Sequence, residues 1–419
     1  ARLARANRKV QAAVGKAKKS WLVQHLDGVR QGENPGAYWT HINALRGGLG
    51  NTKGASADPL FHAKDGTPSV TRAESNGNVK AHWHSVFNMD SSPDLATLHA
   101  VPQRPVRSDL EGLPTDAEII KTTRKAKKDR SPGDNKIPAE LWCALVGTNK
   151  ELETVEGAEA FDIWRAVVHE FWEHGSCGED WLQGRLKMLF KKGARANLNN
   201  WRGVMLLDAA CKIVSAILAS RLTTLLTQGG SVEEQNGFLP ARGCTDAVFA
   251  LKVMLQKRKE HGLDTHVVFI DLVKAFDSVS REGLYLMLGK IGVPESLIHL
   301  VISLHTNFSV KVKAGQEDVE VPYNTGVKQG DSLAPILFLA YFELAMESLH
   351  ARWEVEKPAF LYKLDTVTGG RRWGEGGGTL MELYRSFYAD DGAFAFTKRH
   401  DAEIMVPVIF DTLKDFGLT

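Results

Sequence analysis

The sequence predicts an α+β fold. Three observations lead there. A β-branched and aromatic run, Val267, Val268, Phe269 and Ile270, reads as a buried strand that ends on Asp271. A second stretch, Phe387-Tyr388-Ala389-Asp390-Asp391, sets two adjacent carboxylates behind an aromatic and a small residue, as a hairpin would. Residues 151–173 and 209–226, by contrast, read as helices.

The other elements follow in order along the chain. Residues 1–50 carry helical spacing, with Trp21, Leu22, His25 and Leu26 and then Tyr38, Trp39, Ile42 and Leu45 on apolar faces. Residues 47–58 read as a loop. Helical signals resume over 71–87, whereas 90–114 is rich in Pro and Ser and reads as extended or linking. Thr115-Asp116-Ala117-Glu118 has the spacing of a capping box and opens the next unit. The glycine-rich residues 369–378 read as a flexible hairpin tip ahead of the Asp390 strand. No internal repeat is present.

Chemistry enters through the carboxylates. Neighbouring strands lie about 4.8 Å apart, so a strand-end Asp271 beside a hairpin bearing Asp390 and Asp391 brings three carboxylates to one small volume. Such a donor set suits Mg2+, a hard octahedral ion that takes oxygen ligands rather than thiolates or imidazoles. Phosphoryl transfer to a sugar hydroxyl uses two such ions about 3.5–4 Å apart, one activating the attacking 3′-oxygen and one neutralising the leaving pyrophosphate. A bare Asp-Asp pair is ordinarily a solvated turn. Its flanks decide the reading.

Four further segments accompany the carboxylates. They are Lys128 to Glu140, with Ser131-Pro132-Gly133-Asp134 at its centre; Phe190-Lys191-Lys192-Gly193 with Asn200-Trp201-Arg202-Gly203; Gln235-Asn236-Gly237-Phe238 with Ala241-Arg242-Gly243; and Gly326-Val327-Lys328-Gln329-Gly330-Asp331. In this order they resemble the reverse transcriptases, most closely those of non-LTR (LINE-type) retrotransposons, over residues 116–419. The resemblance implies a right-hand polymerase whose palm is built on a ferredoxin-like antiparallel sheet. The expected layout is a helical connector over 1–114, fingers over 115–265 and 279–325, and palm over 266–278 and 326–419.

The same resemblance implies roles for individual residues. Asp271, Asp390 and Asp391 become the catalytic metal ligands, and the Leu272 carbonyl adds an oxygen ligand for Mg2+, with Mn2+ as a substitute. Phe276 lies five positions beyond Asp271, where the family places an aromatic beneath the sugar and a 2′-hydroxyl would collide with it. Core packing is the other reading of Phe276, and both can hold. Lys192 or its neighbour Lys191, together with Arg202, would grip the incoming triphosphate. Gln329 and Gly330 would meet the nucleotide, and Arg242 either contacts template phosphate or caps a helix. The implied partners are an RNA template, a DNA primer or target and deoxynucleoside triphosphates, within an intracellular ribonucleoprotein of nucleus and cytoplasm.

Composition agrees. With 419 residues, 43% of them hydrophobic and 24% charged, the chain can bury a substantial core. Lys+Arg 52 against Asp+Glu 50 leaves only +2, so a nucleic-acid surface must come from clustering, at residues 2–19, 121–130 and 185–195. Cys143, Cys177, Cys211 and Cys244 never form Cys-x-x-Cys, which speaks against a zinc knuckle and a disulfide framework. His82-Trp83-His84 reads as packing or exposure rather than a metal site. The longest apolar run, 336–346, is broken by Glu343, so no membrane span or membrane partner is expected, and the basic N-terminal stretch lacks the apolar core of an export signal.

Two departures from the family pattern stand out. Gly203 occupies the place of a usual proline after Arg202, which leaves that turn less rigid. The chain also starts at Ala1 and ends at Thr419, ahead of the family's next palm motif and thumb, so the expectation is a piece of a longer polyprotein or a degenerate genomic copy. An RNA-dependent RNA polymerase, a group II intron maturase and an inactive nucleic-acid-binding relic remain the alternatives. Bulky Phe276 opposes the first.

Overall fold

A capping box opens the first described helix, α1 (Arg72–Phe87): the Thr71 hydroxyl accepts from the Glu74 amide while the Glu74 carboxylate accepts from the Thr71 amide. The structure, a computed structural model, describes residues 60–229, 233–314, 317–362 and 379–418. The expected helices of residues 1–50, the loop at 47–58, the basic stretch at 2–19 and the glycine-rich 369–378 lie outside the described residues. Leu60 to Thr419 form one compact unit.

The strands are β1 (Gln183–Phe190), β2 (Trp201–Leu206), β3 (His266–Asp271), β4 (Ser309–Ala314) and β5 (Glu317–Pro322). They are followed by β6 (Ala359–Tyr362), β7 (Thr379–Glu382), β8 (Arg385–Tyr388) and β9 (Asp391–Phe396). One sheet has the order β2-β1-β4-β5, with β1 and β4 parallel and the outer pairs antiparallel. Its core forms against α1, where Val79, Trp83, Val86 and Phe87 pack with Leu186, Met205, Phe308 and Val310. A loop residue pins the parallel pair: Asp134 accepts from Arg185 of β1 at 2.8 Å and from Lys311 of β4 at 2.7 Å.

The second sheet, β3-β9-β8, is antiparallel throughout, with β9 at its centre. It has three strands. On the outer edge of β8, Gln235 adds a single bridge to Phe387 in place of a further full strand. Hairpin β6-β7 stands apart as a two-stranded sheet.

Helices supply most of the main core. Residues 90–114, expected to be extended, contain α2 (Leu95–Ala100) and a short 3-10 turn at Ser108–Leu110. Leu98, Val101 and Leu110 are buried, and the Arg104 and Arg107 amides donate to the carbonyls of Lys290 and Gly292 at 2.8 and 2.9 Å. The apolar positions there are too few for a periodic signal, and distant contacts order the segment. Helix α3 (Asp116–Arg124) starts at the expected Thr115–Glu118 capping box. The helix expected over 151–173 is two, Asn149–Leu152 and α4 (Val155–His174), because Thr154 caps a new start by accepting from the Gly157 amide.

Helix α5 (Ala209–Gln228) bears on the reading of membrane segments. Among the described residues it is the one helix long and apolar enough to cross a bilayer, by length and composition alone, and 67% of that window is buried inside the protein. Its Ile213, Val214, Ile217 and Leu218 belong to the main core. Helix α6 (Cys244–Glu260) packs against β6 and β8. Helix α7 (Ala334–Ala351) begins with Pro335 in its first turn and runs through the core beneath the three-stranded sheet. There Phe342 meets Phe387 edge-on at 5.1 Å.

Candidate active site

Strand register brings the carboxylates together. Asp271, the last residue of β3, lies directly opposite Asp391, the first residue of β9. Tyr388 of β8 is the partner of Asp391 on its other side, which leaves Ala389 and Asp390 as the two-residue turn of the hairpin. Ala389 has φ of 59°, the left-handed conformation such a turn demands and which a Cβ disfavours.

The negative charges act on one another. Burial, and then the charges of Asp390 and Asp271, push the Asp391 carboxyl above its ordinary range. Such unrelieved repulsion among hard oxygen donors suits a divalent cation. The three aspartates stand at one end of the sheet, and no preformed cluster of three metal-ligating side chains occurs among the described residues. Leu272, next in the chain, is buried and anchors Asp271 to the core.

A second group of side chains gathers around Asp277. Gln329 donates its amide to Asp277 at 2.9 Å, and Arg202 Nε donates to Gln329 Oε1 at 3.4 Å. Asp277 is 8% exposed. Desolvation pushes its carboxyl up to about 6, against the opposing pull of Lys274, Arg202, the Gln329 hydrogen bond and Lys191. Lys191 thus belongs to the positive field around this buried acid. Continuing the alternation of β1 past Phe190 puts Lys191 on the side of Leu189, the residue opposite Arg202, and Lys192 on the other side.

The loop carrying Gln329 is docked on β2, since the Met205 amide donates to the Gln329 carbonyl at 2.8 Å. Gly330 follows with φ of 115°, and a Cβ there would stand 2.4 Å from the Met205 carbonyl oxygen, so only glycine fits. Lys328 and Asp331, both buried, face each other at 3.6 Å, and Lys328 donates to the Leu304 carbonyl at 2.9 Å. Phe276 is half-buried. Its ring stacks on Phe338 at 5.1 Å and meets Phe238 edge-on at 5.9 Å, so packing is part of its work.

Arg242 fastens its own loop: its Nη1 donates to the carbonyls of Glu233 and Gln235, both at 2.9 Å. Gly203 is a correction, because it sits inside β2 opposite Met188 and not in a turn. A Cβ there would come within 2.8 Å of Trp83 and of Leu186, so glycine makes room for the tryptophan of α1. Within the basic clusters, Arg185 is held by Asp134 and Asp318, and Arg124 donates to the Gly147 carbonyl at 3.0 Å. Lys121, Lys125, Lys127, Lys128 and Arg130 are exposed. The cysteines are free, as expected.

Asp277 and Gln235 are functional neighbours that the sequence alone does not single out. The signal for Asp277 is its place six residues beyond Asp271, directly after Phe276; for Gln235 it is the same segment that draws attention to Arg242.

Comparison with known proteins places this site in a family. The family model "Reverse transcriptase (RNA-dependent DNA polymerase)" matches residues 190–419, more than half of the chain. The chain belongs to that family. Within it, the likeness is to the polyproteins of non-LTR retrotransposons. It is 26% identical over 219 residues to a "Retrovirus-related Pol polyprotein from type-1 retrotransposable element R2" of Popillia japonica, covering 51% of this chain and 30% of that protein. It is 28% identical over 151 residues to the counterpart "from type-2 retrotransposable element R2DM" of Drosophila melanogaster, covering 36% and 14%. The "Transposon TX1 uncharacterized 149 kDa protein" of Xenopus laevis is 25% identical over 302 residues, covering 70% and 22%. The chain therefore spans less than a third of the length of these relatives.

Proposed function

We propose that the protein to which this chain belongs copies RNA into DNA, adding deoxynucleotides to a primer 3′-end and releasing pyrophosphate. The reading rests above all on the Asp271–Asp391 pair across neighbouring strands, with Asp390 in the adjoining turn. Family members generally use divalent metal ions; here Asp271, Asp390, Asp391 and the Leu272 carbonyl would hold two Mg2+, or Mn2+ in their place, which supply Lewis acidity to the attacking and leaving oxygens.

The chain's own groups account for the remaining work. Lys191 and Arg202 offer an ammonium and a guanidinium to a triphosphate beside the carboxylates. Gln329, held by Asp277, presents its amide to the sugar or base, and Gly330 lets backbone approach the nucleotide. The half-buried Phe276 ring, backed by Phe338, offers a wall against a 2′-hydroxyl. The division into fingers (115–265 and 279–325) and palm (266–278 and 326–419) is supported by two sheets that interleave in the same way along the chain. An RNA template, a DNA primer or target and deoxynucleotides are the substrates on this reading, within a ribonucleoprotein of nucleus and cytoplasm.

The test is primer extension on an RNA template with Mg2+. Asp271→Asn or Asp390→Asn should cut the rate by at least roughly a thousandfold, as loss of a metal-binding charge at the reacting atoms demands. Both positions are solvent-accessible, so the melting temperature should hardly move. Unchanged extension by either variant would overturn the assignment.

A further inference from the structure

The turn that carries Asp390 is gripped from outside its own hairpin by one buried side chain. Gln235, 3% exposed, accepts from the Ala389 amide at 2.7 Å and from the Gly237 amide at 2.8 Å through its Oε1, and donates through Nε2 to the Ala389 carbonyl at 3.2 Å. Two N–H donors converge on one oxygen, which fixes which way the amide faces. The side chain thus closes on both polar backbone groups of Ala389, the residue held in the left-handed conformation. Nothing within a two-residue hairpin turn supplies such a brace.

The grip is backed by its surroundings. Next to Gln235, the Asn236 amide donates to the Phe387 carbonyl and the Phe387 amide to the Glu234 carbonyl, each at 2.9 Å. Arg242 holds the Gln235 carbonyl from the other side. Gly237 must be glycine for the approach to occur, because a Cβ there would stand 2.3 Å from the Ala389 nitrogen.

We infer that Gln235 is a positioning residue for the carboxylate site: by bracketing Ala389 it sets where Asp390 stands relative to Asp271, and so sets the site's affinity for divalent cations. The ladder between β3 and β9 fixes Asp271 against Asp391, but Asp390 lies outside that ladder. Its position depends on the turn. This inference rests on the metal role proposed for the three carboxylates, and it assigns Gln235 no contact with substrate.

The test is Mn2+ binding followed by electron paramagnetic resonance, run alongside primer extension on the native chain, Gln235→Met and Gln235→Glu. Met matches the length and burial of Gln but makes none of the three hydrogen bonds. It should weaken Mn2+ binding five- to tenfold and lower kcat at least tenfold, leaving the deoxynucleotide KM and RNA affinity within twofold of native. In Gln235→Glu, an ionised carboxylate cannot donate to the Ala389 carbonyl, whereas a protonated carboxyl can. Mn2+ affinity of Gln235→Glu, taken as a ratio to native at each pH, should therefore climb towards one as pH falls. Native Mn2+ affinity in Gln235→Met overturns the inference. So does a general loss in which KM, RNA binding and melting temperature change together and Gln235→Glu shows no recovery at low pH, the pattern of a merely structural residue. If the native chain binds Mn2+ with the expected variant pattern yet extends no primer, the polymerase reading falls and the positioning role stands.

Discussion

Asp277 accepts the Gln329 side-chain amide at 2.9 Å while lying almost wholly out of solvent, so one buried acid orients the residue proposed above to meet a nucleotide. The acid has four sources of compensation, in Lys274, Arg202, Gln329 and Lys191, and its carboxyl still stands at about 6 rather than 3.8. Desolvation outweighs them all. The Gln329 side chain is therefore oriented by a group whose charge changes close to neutrality.

That titration has a sign that can be checked. Because the folded-state value is raised, the stability tied to neutral Asp277 is fully present below pH 3.8 and is lost as pH rises through about 6. Asp277→Asn keeps an acceptor for Gln329 without the buried charge. It should match native stability near pH 4 and exceed it by up to about 3 kcal/mol above pH 7, by urea melts. Asp277→Leu frees the Gln329 amide instead and should raise the deoxynucleotide KM roughly tenfold, from the loss of one charged hydrogen bond.

Lys191 and Lys192 are adjacent, yet continuing the alternation of β1 puts only the former on the face of Arg202. Lys191→Ala should raise the deoxynucleotide KM about tenfold, the scale of a charge-assisted phosphate contact. Lys192→Ala should change it less than about twofold. Steady-state kinetics with varied nucleotide separates the two, and equal effects would remove the distinction.

Phe276 is asked to pack and to discriminate. Phe276→Ala should increase ribonucleotide incorporation relative to deoxynucleotide by about tenfold or more and cost roughly 2 kcal/mol, less than a fully buried phenylalanine because the ring is half-exposed. A competition assay with both sugars reads the first effect and chemical denaturation the second. Lost stability with unchanged sugar choice would reduce the residue to core packing.

Gly203 offers a test of the fold away from the chemistry. A methyl group there meets Trp83 and Leu186 at 2.8 Å, and both are enclosed by the sheet and α1. Gly203→Ala should cost about 1–3 kcal/mol by urea denaturation. Gly203→Ala with Leu186→Val, which opens space on one side, should recover part of that loss.

Much of this molecule is legible in its amino-acid order. The capping box at Thr115 and the long helix α5 rest on interactions between near neighbours in the chain, and the strand that ends on Asp271 and the hairpin with two aspartates declare themselves by residue type and spacing. The segment over 90–114 is not legible in that way, because Leu98 and Val101 are ordered by partners near residues 290 and 415.

What the sequence determined by itself was which residue types were available and the local shape each adopts. Tertiary structure decided their company. The grip of Gln235 on Ala389 joins residues 154 positions apart, and the bond between Gln329 and Asp277 spans 52. Arg242 turned inward to two carbonyls, and Gly203 proved to be space for a tryptophan rather than slack in a turn. The physical reason is that hydrophobic periodicity and caps are satisfied within a few residues, while a buried polar group takes whichever partner the packed topology brings within about 3 Å.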